Sequence, residues 1–169
     1  MDEGDNIKYM RRCLELAAKA EGLTYPNPLV GAVIVCNDSV VGEGYHIRAG
    51  QAHAEVNAIN SVSDKRILKE STLFVNLEPC SHFGKTPPCS DLIISYGIKD
   101  VVIGTVDTSS NVSGKGIEKL TAAGCRVKVG ILEDECRFLN RRFFSNIEKK
   151  RPYVIDRKST RLNSSHVSQ

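Results

Sequence analysis

Two short stretches must meet in any fold this chain adopts. One is His53-Ala54-Glu55. The other runs Pro79-Cys80-Ser81-His82-Phe83-Gly84-Lys85-Thr86-Pro87-Pro88-Cys89. Between them they hold one imidazole, two thiols and one carboxylate. Zinc takes four tetrahedral ligands, and a catalytic zinc leaves one of the four to water. His53, Cys80 and Cys89 supply three ligands, and two thiolates cancel the charge of the dication. In a helix starting near His53, residues two apart do not share a face as residues four apart do. Glu55 is therefore expected not to be a fourth ligand. It stands where a carboxylate can take a proton from a water acidified by zinc and hand it on.

An H-x-E followed by P-C and a second cysteine, with the glutamate a non-ligand, resembles the zinc nucleobase deaminases. There is one departure: eight residues separate Cys80 from Cys89, not two. With that spacing, the chain resembles the deaminase domain of the bifunctional riboflavin-biosynthesis deaminase/reductase. The matching residues are Pro26-Asn27-Pro28-x-Val30-Gly31, Gly42-Glu43-Gly44-Tyr45-His46, Ala49-Gly50, His53-Ala54-Glu55-Val56, Leu77-Glu78-Pro79-Cys80-Ser81-His82 and Gly84-Lys85-Thr86-Pro87-Pro88-Cys89. The likeness covers roughly the first 150 residues. It implies a cytidine-deaminase-like fold, a zinc cofactor, and hydrolytic deamination of a phosphoribosylated diaminopyrimidine. Deamination of cytidine, guanine or tRNA adenosine is the alternative within the same chemistry. A structural zinc site in a binding module is the alternative outside it, and that would require a fourth protein ligand.

The length allows one domain with a sizeable core. No apolar run approaches membrane-spanning length. The net charge of +3 is misleading. Residues 149–169 hold six Lys or Arg and one Asp, which leaves 17 basic against 19 acidic residues in the rest. A mildly acidic body does not suit a nucleic-acid surface. The partner implied is a small phosphoribosylated pyrimidine, not a nucleic acid or a membrane, and a homo-oligomer is compatible with it. Cys13, Cys36, Cys125 and Cys136 fall on apolar-patterned positions, as small buried hydrophobes of a reducing cytoplasm do. The acidic start Met1-Asp2-Glu3-Gly4-Asp5 resembles neither a secretory signal nor a transit peptide. The expected compartment is the cytoplasm, or an organelle if a leader has been trimmed.

Periodicity predicts helices over 7–21 (N-cap Asn6, stop at Gly22), 53–62, 89–96, 117–123 and 133–147. Strands are predicted over 31–35, 39–44, 72–77, 101–104 and 126–130. This order gives a three-layer α/β/α sandwich around a five-stranded mixed sheet, the first two strands antiparallel and the rest parallel. Cys89 would open a helix, whose dipole favours its thiolate.

Candidate substrate contacts follow from placement, and the resemblance strengthens them. Prolines bracket Asn27 and hold its amide on a rigid loop. His46 follows a strand just before the zinc helix. His82, Lys85 and Thr86 sit on the loop between the cysteines. Asp107 lies past the carboxyl end of a strand, where α/β sheets bind ligands. The related family has Asp-Pro-Asn-Pro here; this chain reads Asp107-Thr108-Ser109-Ser110. Lys115, between two glycines, opens a helix whose N–H groups suit a phosphate.

Arg151-Pro152-Tyr153-Val154 resembles the opening of the family's reductase domain, and residues 159–166 are polar and patternless. The expected organisation is a deaminase domain over 1–150. Residues 151–169 would be a truncated reductase start with a disordered or artefactual tail, without reductase activity.

Overall fold

The computed structural model describes residues 1–84, 86–109, 113–151, 153 and 154. The region expected to lie beyond the deaminase domain therefore falls almost wholly outside the described residues.

The strands are β1 (Gly31–Cys36), β2 (Ser39–Tyr45), β3 (Thr72–Leu77), β4 (Asp100–Thr105) and β5 (Arg126–Val129). They form one sheet in the order β2-β1-β3-β4-β5. The helices are α1 (Glu3–Ala18), α2 (Ala54–Ser61), α3 (Cys89–Ser95), α4 (Lys115–Ala122), α5 (Glu133–Leu139) and α6 (Arg141–Lys149). A 3-10 turn, Lys65–Glu70, has no counterpart in the sequence expectation.

β1 and β3 are apolar at every position but Thr72 and Asn76 and buried throughout, as strands covered on both faces must be. Alternate side chains point to opposite faces. Ala32, Ile34, Leu73, Val75, Val101 and Ile103 pack against α2, α3 and α4 through Ala58, Ile59, Ile93 and Leu120. Val33, Val35, Phe74 and Val102 face α1 and α5 through Met10, Cys13, Leu16 and Cys136. This is the expected three-layer sandwich. Among the described residues no helix is long and apolar enough to cross a membrane.

Three expectations need correction. Helix α1 begins at Glu3, not near Ile7, because Asp2 caps it. The Asp2 carboxylate accepts from the Asp5 N–H at 2.9 Å, and Asp5 accepts from the Asp2 N–H at 3.3 Å. That reciprocal pair satisfies helix-end donors, while Asn6 is buried inside the helix. Second, β1 pairs antiparallel with β3 as well as with β2, and only β3, β4 and β5 are mutually parallel. Third, the long last helix is two helices meeting at Asn140. The Asn140 side chain bonds both the N–H and the carbonyl of Leu29, each at 2.8 Å.

The antiparallel β1 delivers its amino end, with the Pro26-Asn27-Pro28 loop, to the carboxyl ends of β3 and β4. Asn76, on β3, secures it: its Oδ1 accepts from the Gly31 N–H at 2.8 Å and its Nδ2 donates to the Leu29 carbonyl at 3.1 Å. Two glycines allow close approaches beside the site. A Cβ on Gly44 would lie 2.3 Å from the Ala58 nitrogen, so α2 can rest directly on β2. A Cβ on Gly116 would lie 2.1 Å from the Pro79 carbonyl oxygen. Gly116→Ala is expected to force α4 away from the loop that carries Cys80. The cost is about 1–3 kcal/mol, the usual scale of overpacking, and a urea titration with fixed slope would show it as a lowered midpoint. An unchanged midpoint would mean that α4 does not rest against that carbonyl.

Candidate active site

Three chain segments leave the sheet on one side: the loop before β1, the Glu78-Pro79-Cys80 segment after β3, and residues 106–109 after β4. They surround a cavity of about 270 Å³ lined by Asn27, His46, His53, Glu55, Glu78, Cys80, His82, Asp107 and Ser109, with Leu77, Phe143 and Ile147 as apolar wall. A larger cavity, about 400 Å³, shares Asn27 and Phe143 but holds none of His53, Glu55, Cys80 or Cys89. The chemistry is concentrated in the smaller one.

His53 is the N-cap of α2 and Cys89 the first residue of α3. The His53 Nδ1 lies 3.6 Å from the Cys80 Sγ and 3.4 Å from the Cys89 Sγ. A tetrahedral zinc with ordinary Zn–S and Zn–N bonds places such atoms roughly 3.5 Å apart. The three donors therefore fit zinc, and among the described residues they are the one group of at least three His, Cys, Asp or Glu so converged. The base of the loop between the cysteines is tied by its own ends. The Cys89 N–H donates to the Cys80 Sγ at 3.2 Å, and the Ser90 N–H donates to the Cys80 carbonyl at 3.1 Å.

Of the two thiols it is that of Cys80 whose pKa is lowered. The Cys89 thiol, the His53 ring and the Cys89 N–H all stabilise its thiolate, and its pKa falls to about 4. The same bond to Cys80, together with burial, holds Cys89 above the ordinary thiol value.

Glu55 is buried, 3% exposed. Burial lifts its carboxyl to about 7; Cys80 adds to the rise and His53 opposes it. A carboxyl near neutrality can both accept and return a proton at physiological pH.

His46 lies beside them, its ring edge-on to His53 at 5.6 Å. Its Nδ1 is 3.1 Å from the Ala52 carbonyl oxygen and its Nε2 is 3.1 Å from the Asn27 Nδ2. The carbonyl can only accept, so Nδ1 carries the proton and Nε2 accepts from Asn27. Burial lowers the pKa of His46 and keeps the ring neutral. Both ring nitrogens are thus engaged, and His46 orients Asn27 instead of offering a free nitrogen.

Asn27, His82 and Asp107 take their places in the cavity wall. Lys85 lies outside the described residues. Thr86 is exposed, and its carbonyl accepts from the Gly84 N–H at 3.4 Å. Lys115 is exposed and is not among the lining residues. The N–H groups expected to be free at its helix start are not free: Gly116 and Ile117 donate to the Glu78 carboxylate at 2.9 and 3.2 Å. The anion that a phosphate would have supplied there is part of the protein. Glu78, Ser109, Phe143 and Ile147 were not among the expected site residues. Phe143 and Ile147 stand four apart on α6, a spacing that marks a shared face but not which cavity that face meets.

Residues 4–105 match the cytidine and deoxycytidylate deaminase zinc-binding region, which is more than half of the chain. The chain belongs to this family. Within it, the chain is 46% identical over 144 residues to a diaminohydroxyphosphoribosylamino-pyrimidine deaminase of Buchnera aphidicola, covering 85% of the chain and 97% of that protein. It is 53% identical over 146 residues to the riboflavin biosynthesis protein RibD of Aquifex aeolicus, covering 86% of the chain and 40% of RibD. A crystal structure of the deaminase/reductase of Thermotoga maritima superposes with a TM-score of 0.85 at 46% identity, over 89% of this chain and 43% of that one. The chain thus spans about two fifths of the length of the RibD relatives. The deaminase-family fold, with its five-stranded mixed sheet and zinc-binding cluster, is the one the sequence pointed to.

Proposed function

We propose that the chain is a zinc-dependent hydrolytic deaminase of a phosphoribosylated diaminopyrimidine in riboflavin biosynthesis. The observation that carries this is a buried, near-neutral carboxyl beside a three-donor zinc cluster, in a cavity that Asp107 also lines. A structural zinc site would call for a fourth protein donor, and the cluster has three among the described residues. The substrate class is supported by the eight-residue loop between the cysteines and by the Buchnera relative, which carries that substrate in its name and is matched over nearly its whole length.

When bound, the metal supplies Lewis-acid activation of the water that replaces the amine. Glu55 moves the protons: it takes one from the attacking water, delivers it to the ring nitrogen, and helps ammonia depart. Asn27, held by His46, presents its amide to the pyrimidine. His82 borders the ring, and Asp107 reads ribose hydroxyls. Its Oδ1 already accepts from the Ser109 N–H at 2.8 Å, which fixes the side chain. Phosphate recognition falls to the loop carrying Lys85 and Thr86, since Lys115 stands behind donors already satisfied.

Ammonia release by zinc-loaded protein tests the reading: the diaminopyrimidine nucleotide is expected to be turned over and cytidine not. Comparable kcat/KM on cytidine would move the chain to the alternative. A second expectation separates the sugar and phosphate readers. Asp107→Asn should raise KM for the nucleotide about ten- to a hundredfold, the scale of a charge-assisted hydrogen bond. Lys115→Ala should change it by less than about twofold, as for an exposed charge without a buried partner. The reverse ranking, read from steady-state kinetics, would place the phosphate at α4.

A further inference from the structure

Resting on the deaminase reading, we propose that Glu78 is a positioning residue: it locks the Asp107 wall of the cavity to the loop carrying Cys80, and it closes the start of α4 to phosphate. Glu78 is 4% exposed. Its Oε2 accepts from the N–H groups of Asp107 at 3.2 Å and Gly114 at 3.0 Å. Its Oε1 accepts from those of Gly116 at 2.9 Å and Ile117 at 3.2 Å. Its own N–H donates to the Thr105 carbonyl at 3.0 Å. One carboxylate thus gathers four main-chain donors from two segments remote in sequence, the loop after β4 and the first turn of α4.

Buried N–H groups must be paired, and bonds to a charged acceptor are the stronger kind. Glu78 sits two residues before Cys80 and one residue from the Pro79 carbonyl against which Gly116 packs. Any shift of its carboxylate therefore moves Asp107 relative to the metal cluster. Function depends on such fixing of the groups that touch substrate. Three of these bonds, from Gly114, Gly116 and Ile117, occupy donors that would otherwise bind an anion at this helix end.

Glu78→Gln keeps the shape but turns an N–H₂ toward two donors. The expected result is one zinc per chain, kcat within about threefold, and KM for the nucleotide raised about tenfold or more. In an Asp107→Asn background the same change should add less than about twofold, because residues acting through one another are not additive. Amide exchange at Asp107 and Gly114 should quicken while that of Phe74 in the central strand does not. Multiplicative KM effects, unchanged exchange, or loss of zinc with equal falls in kcat and kcat/KM would each overturn the proposal. If Glu78→Gln does not accumulate, the wild type still decides. The amides of Asp107, Gly114, Gly116 and Ile117 must be protected, and inorganic phosphate must leave the Gly116 and Ile117 resonances unmoved; fast exchange or a saturable shift would overturn it. A wild type that fails to release ammonia from the nucleotide would sink the functional reading alone, since the amide measurements judge the clamp independently.

Discussion

Glu55→Gln is expected to bind one zinc per chain, to fold as the wild type does, and to turn over roughly 10²–10⁴-fold more slowly, the usual weight of a general acid–base group. The three donors are His53, Cys80 and Cys89, and none is touched by the change. Gln has the size of Glu, so the cavity wall keeps its shape. What is lost is a buried group beside the cluster able to take up and release a proton near neutral pH. His46 cannot substitute, because its Nδ1 is committed to Ala52 and its Nε2 to Asn27. Metal analysis and single-turnover rates on the same sample make the check. Near-normal turnover would remove Glu55 from the reaction, and loss of zinc would make it a ligand.

Cys80→Ser should lose zinc and activity together, with turnover falling to background. A serine hydroxyl is a poor zinc donor where thiolate and imidazole are the ordinary ligands. The remaining pair, His53 and Cys89, leaves the site two donors short of a tetrahedron. The fold should survive, because the Cys80 main-chain bond from Ser90 does not involve the thiol. Zinc at full stoichiometry in this variant would overturn the ligand assignment.

The site was legible where its chemistry is local. His53, Glu55, Cys80 and Cys89 declare themselves by spacing, and β1, β3 and β4 by apolar runs fitting a sheet covered on both sides. What was illegible is satisfied from far away. Lys115 between glycines at a helix start looks like an anion site, but the acceptor for that turn is Glu78, 38 residues back from Gly116. Asn140 interrupts a continuous helical pattern because its amide is spent on Leu29, 111 residues earlier. Asp2 and Asp5 form a cap in a stretch that reads as a polar terminus. The antiparallel pairing of β1 with β3 leaves no mark on either strand, since both are buried on each face whichever way they run.

The ties at the base of the cysteine loop separate two demands on the chain. Because Cys80 and Cys89 are joined through the Cys89 and Ser90 N–H groups, the metal cluster is indifferent to how many residues lie between them. Closing a flexible loop costs only about 0.6 kcal/mol more for each doubling of its length. Insertions and deletions between the cysteines can accumulate without taxing the metal centre, while each one alters the loop that brings His82 to the cavity wall. Lineages with the same zinc chemistry can thus diverge in what they deaminate by changing loop length alone, with no substitution among the ligands.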